Sequence, residues 1–202
     1  MTQIQLKIHI TGMGGQGIIA TSRLIATAAK IAGLSVMTTE IHGLAQRGGI
    51  IVSDLSIGYD PTESPLSSYG EADILIALEP LEALRSLPKL RKNGLAVINT
   101  AQYQPLPVRI SKGEVKYPSL EEIKAEIEKQ TPNVILVNAD DDARALGLSR
   151  AMNVILLGAL MTNTTILTFS QEDMIESIKT NLPPKYHETN LKAFKKGLDY
   201  KI

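Results

Sequence analysis

Gly12-Met13-Gly14-Gly15-Gln16-Gly17 joins two segments of different periodicity. Before it, Ile4–Ile10 alternates β-branched and polar residues, which predicts a strand. After it, apolar residues recur at helical spacing from Ile18 to Ala32, and Gly33 is suited to end the helix. A glycine-rich loop between a strand and a helix lets backbone N–H groups approach an anion at the helix N-terminus. The stretch therefore predicts either an anion-binding loop or a tight, well-packed turn.

Strands and helices alternate along the rest of the chain. Runs typical of strands occur at Ser35–Ile41, Ile50–Ile57, Ala72–Leu78, Gly94–Asn99 and Val134–Asn138, with short strands expected in Pro105–Tyr117. Helices are predicted at Pro80–Leu87, Ser119–Lys129, Asp140–Leu146, Ser149–Asn163, after Ser170 and at Tyr186–Asp199. This order predicts an α/β fold in a single domain over residues 1–202. We expect a Rossmann-like, mostly parallel sheet flanked by helices, with extra strands after the second strand.

Composition excludes several classes of function. The 21 Lys and Arg residues balance 21 Asp and Glu residues, so the chain lacks the basic excess of proteins that hold nucleic acid by charge. It contains no cysteine, which excludes disulfides, thiolate nucleophiles and cysteine-ligated iron–sulfur clusters in this chain. The three histidines stand far apart, without the spacing of a zinc site. We expect no nucleic-acid partner and no metal held by this chain.

Neither a targeting signal nor a membrane segment is predicted. The N-terminus alternates polar and apolar residues instead of following a basic region with an apolar run. The longest apolar stretch, Asn153–Thr162, is shorter than the about 20 residues that a membrane-spanning helix needs. We expect a soluble cytoplasmic protein that does not contact a membrane.

Charged residues are unevenly distributed. Residues 1–50 contain four Lys or Arg residues and one acid, Glu40, which suits an anionic group near the glycine loop. Residues 51–84 contain seven acids and no Lys or Arg. This second stretch is either an acidic docking face or a set of solvated loops.

A second motif follows the second strand and reads Glu40-Ile41-His42-Gly43-Leu44-Ala45-Gln46-Arg47-Gly48-Gly49. Glu40 lies 23 residues after Gly17, where a dinucleotide-binding fold places an acid on the ribose. At the carboxyl edge of an α/β sheet the motif would lie beside the glycine loop. Arg47 could then grip a phosphate or carboxylate through two parallel hydrogen bonds. Alternatively, Arg47 pairs with Glu40, and His42 caps a turn.

A third element, Arg150-Ala151-Met152-Asn153, opens an apolar helix that Ser149 is expected to cap. Asn153 needs partners, because a buried unpaired amide is costly. It either binds the backbone of the glycine loop or contacts a ligand. Asp140-Asp141-Asp142 indicates either Mg²⁺ binding or a helix start, where acids favour the positive end of the helix dipole.

These three elements together resemble the gamma-type subunit of 2-oxoacid:ferredoxin oxidoreductases. The matching residues are GMGGQG after the first strand, E-x-H-G-x-x-Q-R-G-G from Glu40, and RAMN with Gly158 five residues past its Asn. The resemblance extends from about Lys7 to Tyr200. The His in E-x-H-G and the chain length make the sequence most similar to the beta subunit of indolepyruvate:ferredoxin oxidoreductase.

The resemblance implies a subunit of an enzyme that oxidatively decarboxylates a 2-oxoacid, indolepyruvate or another arylpyruvate, to an acyl-CoA and passes the electrons to ferredoxin. It implies that thiamine diphosphate, Mg²⁺ and iron–sulfur clusters lie on a larger alpha-type partner subunit, with coenzyme A as co-substrate and ferredoxin reached through the complex. The absence of cysteine agrees with that division. No catalytic residue is assigned on this chain. The cofactor-binding candidates are Gly12, Gly14, Gly15, Gln16, Gly17, Glu40, His42, Gln46, Arg47, Gly48, Gly49 and Asn153.

Two other hypotheses remain. A free-standing dinucleotide-binding dehydrogenase would need a substrate domain and a His or Lys base with a clear partner, and the sequence offers neither. A non-catalytic interaction scaffold would use its glycine-rich loops only to pack against another chain.

Overall fold

The computed structural model describes residues 5–43, 49–103, 116–162 and 166–202. Within these ranges six strands form one sheet: β1 (Leu6–Met13), β2 (Val36–His42), β3 (Ile50–Ile57), β4 (Ala72–Ala77), β5 (Leu90–Asn99) and β6 (Val134–Val137). Their helices are α1 (Ile18–Ile31), α2 (Pro80–Ser86), α3 (Leu120–Glu128), α4 (Ala139–Ala145), α5 (Met152–Leu160), α6 (Gln171–Asn181) and α7 (His187–Gly197). Short 3₁₀ turns occur at Leu87–Lys89, Ser149–Ala151 and Pro184–Tyr186.

The sheet is mixed but mostly parallel, with the strand order β2-β3-β1-β4-β5-β6. The pairs β1–β4, β4–β5 and β5–β6 are parallel. β3 runs antiparallel to both of its neighbours, β1 and β2. The α/β fold with an extra strand after β2 is therefore confirmed. β2 runs in the same direction as β1, as a crossover through α1 requires, but β3 lies between them and β2 becomes an edge of the described sheet.

Two apolar layers cover the sheet on opposite sides. Ile74 and Ile76 of β4 belong to the larger core, which contains buried side chains of α1, α5, α6 and α7. Leu75 and Ala77, which alternate with them, belong to a smaller core with α2 and α3. β4 is therefore buried on both faces, as its continuous apolar run predicts. In the described ranges, no helix is both long and apolar enough to cross a membrane.

Helix α5 is held at the centre of the larger layer by close contact with α7. All nine residues of α5 are buried. A Cβ atom added to Gly158 would lie 2.2 Å from the carbonyl oxygen of Phe194, and one added to Gly197 would lie 2.1 Å from that of Ile155. Only glycine allows the two backbones to approach this closely. The packing fixes the position of the first turn of α5, which carries Asn153.

The helix starts are partly as predicted. Ser119 and Ser170 each form a capping box, with Glu122 and Asp173 respectively, which confirms those two helix starts. The prediction that Ser149 caps the next helix is wrong. Ser149 lies in a 3₁₀ turn, and α5 begins only at Met152, with no side-chain cap. The predicted short strands of Pro105–Tyr117 lie mainly outside the described residues.

The acidic stretch 51–84 combines exposed loop acids, Asp60, Glu63 and Glu71, with acids that have partners inside the fold. Its role as a docking face stays a prediction. Six of its seven acids accept hydrogen bonds or form ion pairs within the chain, including Asp60, which accepts from the backbone N–H and the hydroxyl of Thr62. Asp54 is buried and lies 2.8 Å from the Nδ1 atom of His9. The others are Glu71 with Lys7, Asp73 with Arg91, Glu82 with Arg85, and Glu79, which accepts from the backbone N–H of Glu82 at the start of α2. Most of these acids therefore have a partner within the chain.

Candidate functional site

The glycine loop leads directly into the N-terminus of α1. Gly15 and Gly17 have φ angles of 99° and 91°, in the left-handed region that favours glycine. Gly17 is the N-cap residue, and no side chain accepts a hydrogen bond from the first turn of α1. That turn also contains no acid. Its backbone N–H groups lack intrahelical partners, so the end of the helix presents unneutralised positive potential.

Gln16 and Gly12 fix the conformation of this loop through contacts within the chain. The Gln16 side chain accepts from the backbone N–H of Met13 at 2.7 Å and donates to the carbonyl of Leu78 at 3.2 Å. Gly12 lies within β1, where an added Cβ would be 2.8 Å from Oε1 of Gln16. Both ends of the Gln16 amide are thus engaged inside the chain. These two candidates shape the loop, and a ligand would meet Gly14, Gly15 and Gly17.

The second motif contacts the loop through its last glycine. The backbone N–H of Gly14 donates to the carbonyl of Gly49 at 2.9 Å. The expected proximity of the two glycine-rich segments is therefore present at this point. Gln46, Arg47 and Gly48 lie outside the described residues. The anion-gripping role of Arg47 stays a prediction.

A cleft of about 1150 Å³ opens in front of the glycine loop. It lies at the carboxyl end of β1, where ligands of α/β folds commonly bind. Its walls come from the glycine loop, the turn before α5 and the start of α7. The lining residues are Met13, Gly14, Gly15, Gln16, Gly17, Ala20, Tyr103, Asp140, Gly147, Leu148, Ser149, Arg150, Met152, Asn153, Val154, Leu182, Pro183, Tyr186 and Asn190.

Asn153 faces Gly17 across this cleft. The residue is only 6% exposed, and its Nδ2 atom would lie 3.3 Å from a Cβ added to Gly17. Its side-chain amide forms no hydrogen bond with any other described residue, in contrast to Asn190, whose amide donates to the carbonyl of Tyr186 at 2.8 Å. Of the two roles predicted for Asn153, binding of the loop backbone is absent from the described contacts. Its amide is available to a ligand at the N-terminus of α1.

The cleft carries one cation and one carboxylate among its described lining residues. Arg150 is exposed on the turn before α5. Asp140 accepts from the Asn99 amide at 2.7 Å and from the Tyr103 hydroxyl. Burial, followed by the hydrogen bond to Asp140, raises the pKa of Tyr103 to about 12. Tyr103 therefore stays a neutral donor at physiological pH and partly screens the acid, which leaves Arg150 and the end of α1 to attract an anion.

The three consecutive acids at the start of α4 have separate partners. Asp141 pairs with Arg144 at 2.7 Å, and Asp142 accepts from the Tyr200 hydroxyl at 2.7 Å. Asp140 bonds Asn99 and Tyr103 as described above. Among the residues that the structure describes, no group of three or more His, Cys, Asp or Glu side chains could hold a metal ion. The acids therefore serve the helix start and its surroundings.

Glu40 and His42 do not face the cleft. Glu40 lines a separate groove of about 320 Å³ between α1 and β2, together with Arg23 and Lys30. His42 lies beside it, with 3.5 Å between its Nε2 atom and Oε2 of Glu40. The expectation that Glu40 sits beside the glycine loop to bind a ribose is not met. The reason is β3, which lies between β1 and β2 and moves Glu40 two strand spacings, about 10 Å, from the loop strand.

Tyr103, Asp140, Arg150 and Tyr186 line the cleft but were not among the cofactor-binding candidates. From the sequence, Asp140 is considered only for Mg²⁺ or a helix start, and Arg150 only as part of the third element. For two of these four residues, the sequence contains a pattern that could have identified them. Tyr103 follows β5 and Asp140 follows β6, so both come just after the carboxyl ends of parallel strands. Tyr186 reaches the cleft from the distant start of α7, which no local pattern indicates.

Fold and site together define an α/β protein with a cleft in front of an uncapped helix N-terminus. Residues 7–200 match the sequence profile described as pyruvate ferredoxin/flavodoxin oxidoreductase. The chain belongs to this family. It is 42% identical over 199 residues to the protein named indolepyruvate oxidoreductase subunit IorB of Archaeoglobus fulgidus, covering 98% of this chain and 96% of that one. These matches confirm the resemblance stated from the motifs.

Solved structures share the fold. The gamma subunit of keto/oxoacid ferredoxin oxidoreductase from Geobacter sulfurreducens superposes with a TM-score of 0.68 at 22% identity, over 96% of both chains. The 2-oxoglutarate:ferredoxin oxidoreductase of Magnetococcus marinus, solved with 2-oxoglutarate, coenzyme A and succinyl-CoA bound, gives a TM-score of 0.70 at 20% identity. The match covers 96% of this chain and 30% of that longer chain. At these identities the similarity concerns the fold.

Proposed function

We propose that this chain is the small subunit of an indolepyruvate or arylpyruvate:ferredoxin oxidoreductase. The complex would convert the 2-oxoacid and coenzyme A to an acyl-CoA and carbon dioxide, with ferredoxin taking up the electrons. Thiamine diphosphate, Mg²⁺ and iron–sulfur clusters would lie on a larger partner subunit. Family membership and the name of the 42% identical relative support this assignment. The lack of any cysteine supports placing the clusters on the partner.

Within this function, the cleft would bind the anionic nucleotide end of coenzyme A. One observation carries this proposal: the uncapped, acid-free N-terminus of α1 faces a buried Asn153 amide that has no partner among the described residues. Free backbone N–H groups and a helix dipole favour a diphosphate. Arg150 would add a charge-assisted hydrogen bond, and the half-exposed Tyr186 a surface for a base. The volume of the cleft suits a ligand of this size.

The melting temperature of the isolated chain with added ligands tests the cleft. Coenzyme A at 100 times its dissociation constant should stabilise the chain by about 2.7 kcal/mol. Pantetheine, which lacks the nucleotide, should not stabilise it, whereas ADP should do so in part. Stabilisation by pantetheine but not by ADP would contradict the anion-binding assignment.

The assignment to the complex needs a separate measurement. The chain co-expressed with its larger subunit should reduce ferredoxin with indolepyruvate faster than with pyruvate or 2-oxoglutarate. A preference for either of the other acids would reassign the substrate without affecting the cleft.

Two alternatives predict different results. A free-standing dehydrogenase would be stabilised by NAD alone. The position of Glu40 disfavours this alternative. Glu40 lines a separate groove, so it is not placed beside the glycine loop to bind a ribose. A scaffold would respond to no ligand and still bind the larger subunit tightly. The Gly14–Gly49 hydrogen bond is compatible with the scaffold, whereas the unpartnered Asn153 is not explained by it.

A further inference from the structure

Among the described residues, no helix covers one side of the sheet at β2, β3 and the end of β1. α1 packs on the other side of β3, where its side chains join Leu55 and Ile57 in the larger core. On the opposite side α2 and α3 cover β4 and β5. The strand register places five apolar side chains on this second side of β2, β3 and the end of β1, and no described helix lies over them. They are Met13, Met37, Ile41, Ile50 and Val52, here named the outer sheet face. The same side of the sheet also contains Thr39 and the buried polar residues His9, Thr11, Asp54 and Ser56.

The outer sheet face is apolar and accessible. Ile41 is 53% exposed and Ile50 is 41% exposed. Met13, Met37 and Val52 are partly exposed. None of the five carries a charge. Single exposed aliphatic residues are common on protein surfaces, but adjacent ones on a sheet without a covering layer indicate an interaction site.

This surface continues into the cleft. Met13 belongs both to the outer sheet face and to the cleft wall, and it lies opposite Ile50 in the β1–β3 ladder. The Gly14–Gly49 hydrogen bond joins the same two segments one residue further on. A protein seated on the outer sheet face would therefore border the opening of the cleft.

The edge strand adds backbone groups to the same surface. Within the described sheet β2 pairs only with β3, and its other edge forms no backbone pairing with any described strand. Its outward side chains at Met37, Thr39 and Ile41 include no Lys, Asp or Glu of the kind that protects an exposed edge. The surface thus combines an apolar face with hydrogen-bonding capacity.

We propose that the outer sheet face docks the larger, thiamine-diphosphate-carrying subunit. This inference rests on the proposed function, which requires the reacting centre of the partner to meet a ligand that this chain holds in its cleft. Continuity between the outer sheet face and the cleft meets that requirement. A second copy of this chain on the same surface would place another cysteine-free chain at the cleft opening, where it supplies no reacting centre.

Charge substitution on the full-length chain tests the proposal. Ile41→Lys combined with Ile50→Lys should weaken binding to the larger subunit by roughly tenfold or more, measured with the two purified proteins by sedimentation or calorimetry. Ile31→Lys is the matched control, because Ile31 is 43% exposed but lies on α1, on the opposite side of the sheet. The control should bind like the wild type.

The outcomes separate this inference from the proposed function. Unchanged binding by the double variant would overturn the docking assignment, as would a wild-type dimer that the double variant converts to monomer. The coenzyme A melting shift of the free chain reports on the cleft alone and should be the same in the double variant and the wild type. If the wild type shows no such shift while the double variant still loses partner binding, the cleft assignment fails and the docking surface stands.

Discussion

At the scale of the residue, Asn153 is a position where a substitution should affect ligand binding and stability differently. The residue is 6% exposed, and its amide borders the cleft without a hydrogen-bond partner among the described residues. Asn153 is the one polar side chain of α5. Asn153 is therefore the polar group of α5 that we expect a ligand in the cleft to contact.

Replacement of Asn153 should therefore affect binding far more than stability. Asn153→Leu should change the free energy of unfolding by less than about 1 kcal/mol, since it breaks no hydrogen bond to a described residue. The same variant should lose most of the melting shift caused by coenzyme A. Urea unfolding and thermal shift measure the two effects.

Asn190 provides the control for this pair of measurements. It lines the same cleft at 5% exposure but donates to the carbonyl of Tyr186. Asn190→Leu should destabilise the chain by about 1–3 kcal/mol, because a carbonyl loses its donor. A full coenzyme A shift in Asn153→Leu would show that this amide does not touch the ligand.

Alanine substitutions at Gly15 and Gly17 separate the effect of backbone strain from the effect of contact with the site. Both have left-handed φ angles, so an Ala substitution should cost each about 1 kcal/mol of stability. An added Cβ at Gly15 meets nothing within 4 Å, whereas one at Gly17 presses on Asn153. Gly17→Ala should thus weaken coenzyme A binding more than Gly15→Ala does. Equal affinities in isothermal titration would count against a site between Gly17 and Asn153.

At the scale of the element, α7 positions the site by holding α5. The two backbones touch at Gly158 and Gly197, so a methyl group at either glycine must separate the helices. The residues of the site on α5 lie one to two turns away from this contact. Movement of α5 would change the width of the cleft in front of α1.

Gly158→Ala should destabilise the chain by about 1–3 kcal/mol or more through overpacking. Gly147→Ala is the control, because its φ of 74° brings strain but an added Cβ meets nothing within 4 Å. It should cost about 1 kcal/mol. Chemical unfolding of both variants gives the comparison. Equal losses of stability in the two variants would mean that α5 and α7 can move apart without a cost in free energy.

At the scale of the whole molecule, the tyrosine near the C-terminus ties the end of the chain to α4. The Tyr200 hydroxyl donates to Asp142, and burial together with this hydrogen bond raises the pKa of Tyr200 to about 12 from 10.0. A raised pKa in the folded state means that the contribution to stability is fully present below pH 10. It is lost as the pH rises from there towards 12, because the unfolded chain releases this proton first.

Unfolding by urea at several alkaline pH values tests this link. The wild type should be more stable than Tyr200→Phe at pH 8, and the difference should shrink between pH 10 and pH 12. Titration of lysines affects both proteins equally and cancels in the comparison. A difference that stays constant over this range would exclude the Tyr200–Asp142 bond as its source.

The isolated chain should be colourless and should not oxidise 2-oxoacids. It has no cysteine to ligate an iron–sulfur cluster, and its cleft supplies binding groups without an assigned catalytic residue. Dye reduction with indolepyruvate measures this, and addition of the larger subunit should restore activity. Activity of the chain alone would contradict the proposed division between the subunits.

Local patterns in the sequence determined most of the elements. The strand β3, the glycine loop, helix α1 and both Ser capping boxes follow from periodicity and from residues within one turn of each other. These features depend on neighbouring residues, so the order of strands and helices could be predicted. The class of fold and the position of the glycine loop followed from that order. The motifs also carried the family resemblance.

The tertiary structure alone decided which residues meet. The order of strands in the sheet depends on long-range pairing, and the insertion of β3 between β1 and β2 moved Glu40 away from the loop. Long-range packing likewise brought Asn153 opposite Gly17 and Tyr186 into the cleft. Spacing along the chain contains no information on these distances, because each results from how separate elements bury their apolar faces together. The loop was therefore predictable from the sequence, and the cleft around it was not.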